Sequence, residues 1–151
     1  MILKIERFSG GRLLIANTIN FQIFSPDENH FVTYSADPLN QNSLSYPRIT
    51  DFLVDSDSCI WIGTPDGLNR LNPITGSIKR YYKKDGLPDN FIKGLISDKD
   101  GILWVTTGNG VCRFDYKHSK IKNFTRADGF QSNEFSQRSI LKTSDGGILM
   151  G

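Results

Sequence analysis

Cysteine and histidine are both scarce in this sequence, with two of each among 151 residues. Two cysteines cannot build a disulfide framework, and no CxxC or mixed Cys/His cluster indicates zinc. Cys59 and Cys112 lie in strand-like segments, where we expect them to be buried thiols. His30 and His118 lie in turn-like segments without a nucleophile beside them. The sequence therefore predicts no metal site and no cofactor.

Catalytic motifs are missing as well. No serine elbow, pair of metal ligands or GxGxxG stretch occurs, and neighbouring carboxylates occur only in turns. The stretch SDKDG, residues 97–101, lacks the distal glutamate of a calcium loop. An Asp-box of the sialidase type would need an aspartate where this chain has Lys99. We therefore expect this segment not to be an enzyme.

Long apolar runs and a strong net charge are also absent. No apolar run approaches the roughly 18 residues of a membrane span, and the opening MILKIERFSGG lacks the apolar centre of a signal peptide. The net charge of +2 is too small to indicate nucleic-acid binding. Helical periodicity of useful length is missing too. The sequence predicts a globular chain of strands, with no nucleic-acid partner and no membrane contact of its own.

What the sequence does contain is a repeat. The phrase CIWIGTPDGLNRLNP, residues 59–73, returns as ILWVTTGNGVCRFDY, residues 102–116, at a spacing of 43 positions. A repeat of this length indicates a tandem structural unit. The residues that hold the spacing include the pairs Trp61/Trp104, Gly67/Gly110, Arg70/Arg113 and Asn90/Asn133.

Each unit divides into four short stretches rich in β-branched and aromatic residues, separated by Gly, Asp and Asn. Four strands in about 43 residues is typical of a β-propeller blade. Degenerate copies precede and follow the two central units, with Leu14 and Met150 aligned to the tryptophans. We predict an all-β propeller segment of about three four-stranded antiparallel blades plus two strands of a further blade. The predicted units cover residues 2–36, 48–83, 91–125 and, in part, 135–151.

Three and a half blades are fewer than the 4 to 8 that close a typical propeller. Both ends of such a stack would expose an apolar sheet face. We therefore predict that the chain is an excised fragment of a larger protein, that the remaining blades are its partners, and that the fragment self-associates.

The phrases CIWIGTPDGLNRLNPITGSIKRYYKKDGLPDNFI and DKDGILWVTTGNGVCRFD resemble the two-component-regulator propeller repeat. That repeat builds the periplasmic sensor region of Bacteroides-type hybrid two-component histidine kinases. The resemblance implies a ligand-sensing segment of an inner-membrane protein, with an oligosaccharide or other small ligand and a histidine kinase elsewhere in the full sensor. Ser58-Cys59 and Val105-Thr106 depart from the repeat pattern, which weakens inference about a site rather than about the fold.

Candidate site residues follow from the propeller geometry. Trp61, Trp104, Arg70 and Arg113 recur once per blade, so we expect them to pack or brace neighbouring blades. The blade-linking loops KKDGLPDN and RADGFQSN should share one face with the turns TPDG and TGNG, because the chain crosses the blade with each strand. Propeller ligands bind where such loops converge. The predicted ligand contacts are Asp89, Asn90, Asn109, Ser132 and Asn133.

Two other functions stay open on the sequence alone. A propeller scaffold could bind another protein through blade edges or loops. A propeller lyase or quinoprotein-type enzyme would share the tryptophan-rich strands, and catalytic residues confined to one face of one blade would distinguish it. A membrane helix and kinase in the flanking sequence would indicate the sensor.

Overall fold

The computed structural model describes residues 1–151 as fourteen strands in four antiparallel sheets, each with its strands in sequence order. The first blade contains β1 (Ile2–Arg7), β2 (Leu13–Asn17), β3 (Phe21–Ser25) and β4 (His30–Tyr34). The second contains β5 (Asp51–Val54), β6 (Ile60–Thr64), β7 (Gly67–Leu71) and β8 (Ile78–Tyr81). The third contains β9 (Ile92–Ser97), β10 (Leu103–Thr107), β11 (Gly110–Asp115) and β12 (Lys120–Phe124).

A two-stranded fourth sheet pairs β13 (Ile140–Lys142) with β14 (Ile148–Met150). The only helical segments are three short 3-10 turns at Ser9–Gly11, Lys83–Asp85 and Arg126–Asp128. The predicted all-β architecture of three four-stranded blades and a two-stranded remnant is confirmed.

The fourth sheet corrects one alignment made from the sequence. Lys142 pairs with Ile148 across its hairpin, as Ser97 pairs with Leu103 in the third blade. The residue that follows Ile148, Leu149, therefore occupies the position of Trp104, and the predicted equivalence of Met150 is wrong by one residue. The turn sets this register, because Gly146 adopts the same left-handed φ that Gly101 adopts in the third blade.

The turn between the first two strands needs a left-handed residue in every blade. Glycine fills that position in three blades, but in the second blade Ser58 has φ 60°. A side chain in this region is strained, because its Cβ crowds the backbone. The departure from the repeat pattern at Ser58 therefore has a local cost in stability.

We expect Ser58→Gly to raise the free energy of unfolding by about 0.5–1 kcal/mol, the strain relief exceeding the added chain entropy of glycine. Denaturant unfolding of the variant measures this change. Ser56→Gly, two residues earlier in the same turn and without a left-handed φ, is the control and should be neutral or destabilising. A loss of stability in Ser58→Gly would contradict the strain argument.

The core lies between the blades rather than within any one of them. One cluster joins the first and second blades, and includes Leu14, Phe21 and Phe52. A second cluster joins the second and third blades around Trp61 and Leu95. Strand β6 is buried at every position because it lies between both clusters. The unbroken apolar stretch IWIGT follows from this two-sided covering.

Glycine lets the blades approach each other closely. A Cβ on Gly63 would lie 2.6 Å from Ile92 Cγ2 of the next blade, and a Cβ on Gly94 would lie 2.9 Å from Ile140 Cγ2. Real Cβ atoms do not approach carbon atoms this closely, so either side chain would force the sheets apart. The glycine of IWIGT is therefore a packing residue.

The two repeated tryptophans differ in burial. Trp61 is completely buried, with ring centroids 5.3–5.6 Å from Tyr81, Phe114 and Tyr116. Trp104 is partly exposed and stacks only on Phe124, at 5.8 Å. Trp61 is thus packed on all sides and Trp104 only in part, because the two-stranded sheet covers less of the third blade.

Candidate functional site

The blade-linking loops and the second-strand turns meet on one face, as predicted. The backbone N–H of Gly67 donates to the carbonyl oxygen of Asn90 at 2.8 Å, and that of Gly110 donates to Asn133 at 2.6 Å. Both glycines have positive φ, 120° and 108°, which closes the tight turn. The repeated glycines therefore hold each linker against the blade it leaves.

Each linker is itself a repeated structure. A 3-10 turn is capped by the aspartate at its end, Asp85 or Asp128, whose carboxylate accepts the backbone N–H of the residue before the turn at 2.9 Å. Gly86 and Gly129 then reverse the chain in a left-handed conformation. The Asp-Gly pair seen in both linkers is explained by this cap and reversal.

Asn90 and Asn133 fasten these linkers from within. Asn90 Oδ1 accepts the N–H of Lys83 at 2.7 Å, and its Nδ2 donates to Asp66 Oδ1 at 2.9 Å. Asn133 Oδ1 accepts the N–H of Arg126 at 2.6 Å. Both asparagines thus shape the face on which we predicted a ligand, and Asn90 uses both ends of its amide to do so.

The other predicted contacts lie on the same face with different surroundings. Asp89 Oδ1 accepts the N–H of Phe91 at 3.3 Å, and Ser132 Oγ accepts the N–H of Glu134 at 3.0 Å. The side chain of Asn109 is exposed and makes no hydrogen bond. The role of this set in binding a ligand stays a prediction.

The opposite face contains a carboxylate that the sequence analysis did not single out. Asp55 Oδ1 accepts the backbone N–H groups of Asp57 and Cys59 at 2.9 and 3.0 Å. Its Oδ2 accepts Trp61 Nε1 at 3.0 Å, and Arg70 Nε and Nη2 at 2.9 and 2.7 Å. One buried carboxylate therefore fixes a turn, a tryptophan and an arginine.

The third blade repeats this arrangement without the arginine. Asp98 accepts Trp104 Nε1 at 2.9 Å and the N–H groups of Asp100 and Ile102, whereas Arg113 makes no hydrogen bond to it. The signal was present in the sequence, since each tryptophan follows an aspartate by six residues. In the first blade Phe8 and Leu14 occupy these two positions, so both members of the pair are replaced together.

Arg70 also reaches the next blade. Its guanidinium lies 4.8 Å from the ring centroid of Tyr116, which belongs to the third blade. Burial alone would lower the pKa of Arg70, but its hydrogen bonds to Asp55 and the carboxylate charge raise it above the ordinary value. Arg70 therefore links the second blade to the third, whereas Arg113 makes no corresponding contact.

The cysteines and histidines lie apart from each other. Cys59 and Cys112 are both buried, as expected, and burial raises the pKa of Cys112 to about 12. His118 Nδ1 lies 2.8 Å from the carboxylate of Asp115 in an outer turn. The hydrogen bond from His118 holds the pKa of Asp115 below its ordinary value. A thiol with so high a pKa is a poor nucleophile at neutral pH.

The comparisons with known proteins agree with this geometry. Residues 43–66 and 86–109 match the two-component regulator propeller family, and no curated protein matches the sequence. The extracellular domain of a hybrid two-component system from B. thetaiotaomicron is 21% identical over 99% of this chain, with a TM-score of 0.84. The extracellular domain of a one-component system from B. thetaiotaomicron is 23% identical over 100% of this chain, with a TM-score of 0.76. The chain spans only 20% of each of these two domains.

A lyase shares the architecture. Virginiamycin B lyase from Staphylococcus aureus, in a catalytically inactive form with quinupristin, has a TM-score of 0.73 and 18% identity over 99% of this chain and 48% of the lyase. Identities this low establish the fold and not the activity.

The protein is a β-propeller segment, and residues 43–66 and 86–109, which include the first two strands of its second and third blades, match the two-component regulator propeller repeat. It resembles the extracellular domains of hybrid two-component sensors, so the resemblance found in the sequence is confirmed. The structure contains no helix with the length and hydropathy needed to cross a bilayer.

Proposed function

We propose that this chain is a ligand-sensing segment of an extracytoplasmic sensor region, whose signal passes through the membrane to a histidine kinase. One observation carries the proposal. The second and third blades contain the matches to the regulator propeller family, and in both blades a glycine N–H donates to the linker asparagine in the same way. A small ligand, such as an oligosaccharide fragment, is the occupant that the resemblance to the repeat suggests.

This chain covers only a small part of the length of each similar extracellular domain, which supports a longer propeller. A segment that spans 20% of an extracellular domain supplies a few blades of it. We propose that further blades complete the propeller and that the sensor region lies in the periplasm. The ligand face around Asn90 and Asn133 would then be completed by loops from those blades.

The lyase likeness supports the enzyme alternative less well. His118 lies in an outer turn with Asp115 as its partner, whereas His30, which the sequence analysis placed in a turn, begins the outer strand β4 opposite Ser25. No group of three His, Cys, Asp or Glu side chains is placed to hold a metal ion. A general base in this chain would therefore lack a metal-bound water to activate.

The coding sequence that flanks this chain tests the sensor proposal. We expect further propeller repeats, then a membrane helix, then a histidine kinase in the same reading frame. A reading frame that ends in a different catalytic domain, or that lacks both helix and kinase, would contradict the proposal.

The apolar ends of the stack predict self-association of the isolated chain. Leu141 and Leu149 face each other on the last sheet and are 64% and 60% exposed, and Ile5 is 52% exposed on the first. We expect sedimentation to show mass that grows with concentration, because paired apolar sheet faces bury this surface. Leu149→Lys should weaken association. Leu39→Lys, at a linker leucine that is 95% exposed, is the matched control and should not. Monomers at all concentrations would contradict the prediction.

A further inference from the structure

A cavity of about 430 Å³ lies beside the innermost strands, at the end where the chain leaves the linkers and enters these strands. The first strands of successive blades lie against each other, β5 against β9 and β9 against β13, so they form the inner edge of the stack. The cavity is lined by Met1, Leu3, Thr18, Arg48, Ile49, Thr50, Gln137 and Arg138. It therefore joins the first, second and fourth sheets.

Arg138 connects all four sheets at this point. Its backbone N–H donates to the carbonyl oxygen of Lys93 at 3.0 Å, and its Nε donates to that of Thr50 at 3.0 Å. Its Nη1 donates to the carbonyl oxygen of Leu3 at 3.2 Å. Arg138 also has φ 59°, a strained value for a residue with a side chain. These hydrogen bonds thus hold Arg138 in a fixed position despite its backbone strain. Its Nη2 makes no hydrogen bond to the chain.

Arg48 lies across the same cavity and is also without an anionic partner. Its Nη2 donates to Gln137 Oε1 at 3.3 Å, which leaves its other N–H groups free. The lysines of the inner strands are different, because Lys4 pairs with Asp51 and Lys93 pairs with Glu134. No carboxylate lies within salt-bridge distance of Arg48 or Arg138. The cavity therefore has two uncompensated positive charges.

We propose that this cavity binds a small organic anion, with its carboxylate or sulfate group held between Arg48 and Arg138. A guanidinium presents parallel N–H groups that match the two oxygens of either anion. The carbonyl oxygens of Thr50 and Leu3 already hold the guanidinium of Arg138 in place. Little side-chain entropy of Arg138 is therefore lost when an anion binds. The inference rests on the proposed function, in that the anion is the sensed ligand or a part of it.

The test is an NMR titration of the full 151-residue chain with three probes: sodium glucuronate, glucose 6-sulfate and uncharged glucose. We expect one or both anions to shift the amide signals of residues around Gln137 and Arg138, with weaker binding at high ionic strength, and glucose to shift nothing. Arg48→Gln should weaken anion binding about tenfold, as expected for loss of one charge-assisted contact. Arg126→Gln, at an exposed linker arginine, is the control and should leave binding unchanged.

The outcomes separate this inference from the sensor proposal. Carboxylate binding alone and sulfate binding alone both support the site and identify its anion. No binding by either anion, equal binding of glucose, or equal losses in Arg48→Gln and Arg126→Gln would overturn the site. None of these three results alters the flanking sequence, on which the sensor proposal depends.

Discussion

Trp61→Ala is expected to lower the free energy of unfolding by about 3–5 kcal/mol, the range for emptying a large, well-packed aromatic site. The indole is completely buried and lies between the second and third blades, against Phe114 and Tyr116. The change would remove these contacts and leave a cavity at the blade boundary. It would also leave the Asp55 carboxylate without its indole donor.

Trp104→Ala, the same substitution in the third blade, should lower the free energy of unfolding by roughly half as much. The loss scales with the apolar area that the side chain buried. Trp104 is partly exposed, and its stacking partner Phe124 belongs to its own blade. The two tryptophans occupy equivalent repeat positions. The difference between the two losses of unfolding free energy therefore measures what a complete following blade contributes to the stability of the blade before it.

Denaturant unfolding of both variants gives the comparison directly. His118→Ala, in an exposed outer turn, is the control and should stay within about 0.5 kcal/mol of the parent protein. Equal losses for the two tryptophan variants would contradict the argument that the third blade is less well covered than the second.

The sequence was sufficient to predict the fold because the residues that recur in each repeat are those that form the strands and turns of each blade. Every strand of the second and third blades lies within the predicted unit, and most of the turns between them contain Gly, Asp or Asn, with Ser58 and Ser119 at two left-handed positions. The all-apolar strand IWIGT indicated burial on both faces, and the structure buries all five of its residues. Even the degenerate first unit, without its tryptophan, forms four strands, because alternation in β2 and β3 persists.

The details that sequence reasoning missed are those that depend on contacts between units. The equivalence of Leu149 rather than Met150 to Trp104 depends on which glycine takes the left-handed turn position, and Gly146 and Gly147 are adjacent. The burial difference between Trp61 and Trp104 depends on the neighbouring sheet, which no single repeat reveals. The cavity at Arg48 and Arg138 joins residues 90 positions apart that have no repeat signature.

The sequence predicted that the linkers and turns meet on one face, but it did not predict that Asn90 holds its own linker in place. The convergence of the loops follows from strand counting. The use of both ends of the Asn90 amide by Lys83 and Asp66 does not, because the sequence gives no sign of how the linker folds back. Recurrence was the available clue, since a residue that repeats in both of these linkers is more simply explained by linker structure than by one ligand.

The buried carboxylate of the second blade gives the second large expected effect. Asp55→Ala should lower the free energy of unfolding by about 3–5 kcal/mol, because removing one partner of a buried ion pair leaves the other partners unsatisfied. The side chain of Asp55 is 3% exposed and accepts hydrogen bonds from Trp61, Arg70 and two backbone N–H groups.

Asp98→Ala is the matched comparison, since Asp98 fills the same turn position and binds its own tryptophan. It lacks the arginine and lies beside a partly exposed indole, so we expect a smaller loss, about 1–3 kcal/mol. The difference between the two variants, measured by denaturant unfolding, then combines the Arg70 contact with the deeper burial of Trp61, and an Arg70→Met background separates the two. In the Arg70→Met background that difference should shrink, because residues in one hydrogen-bonded network are not additive. If Asp55→Ala and Asp98→Ala cost the same in both backgrounds, Arg70 does not depend on the carboxylate, and its contact with Tyr116 alone accounts for its position.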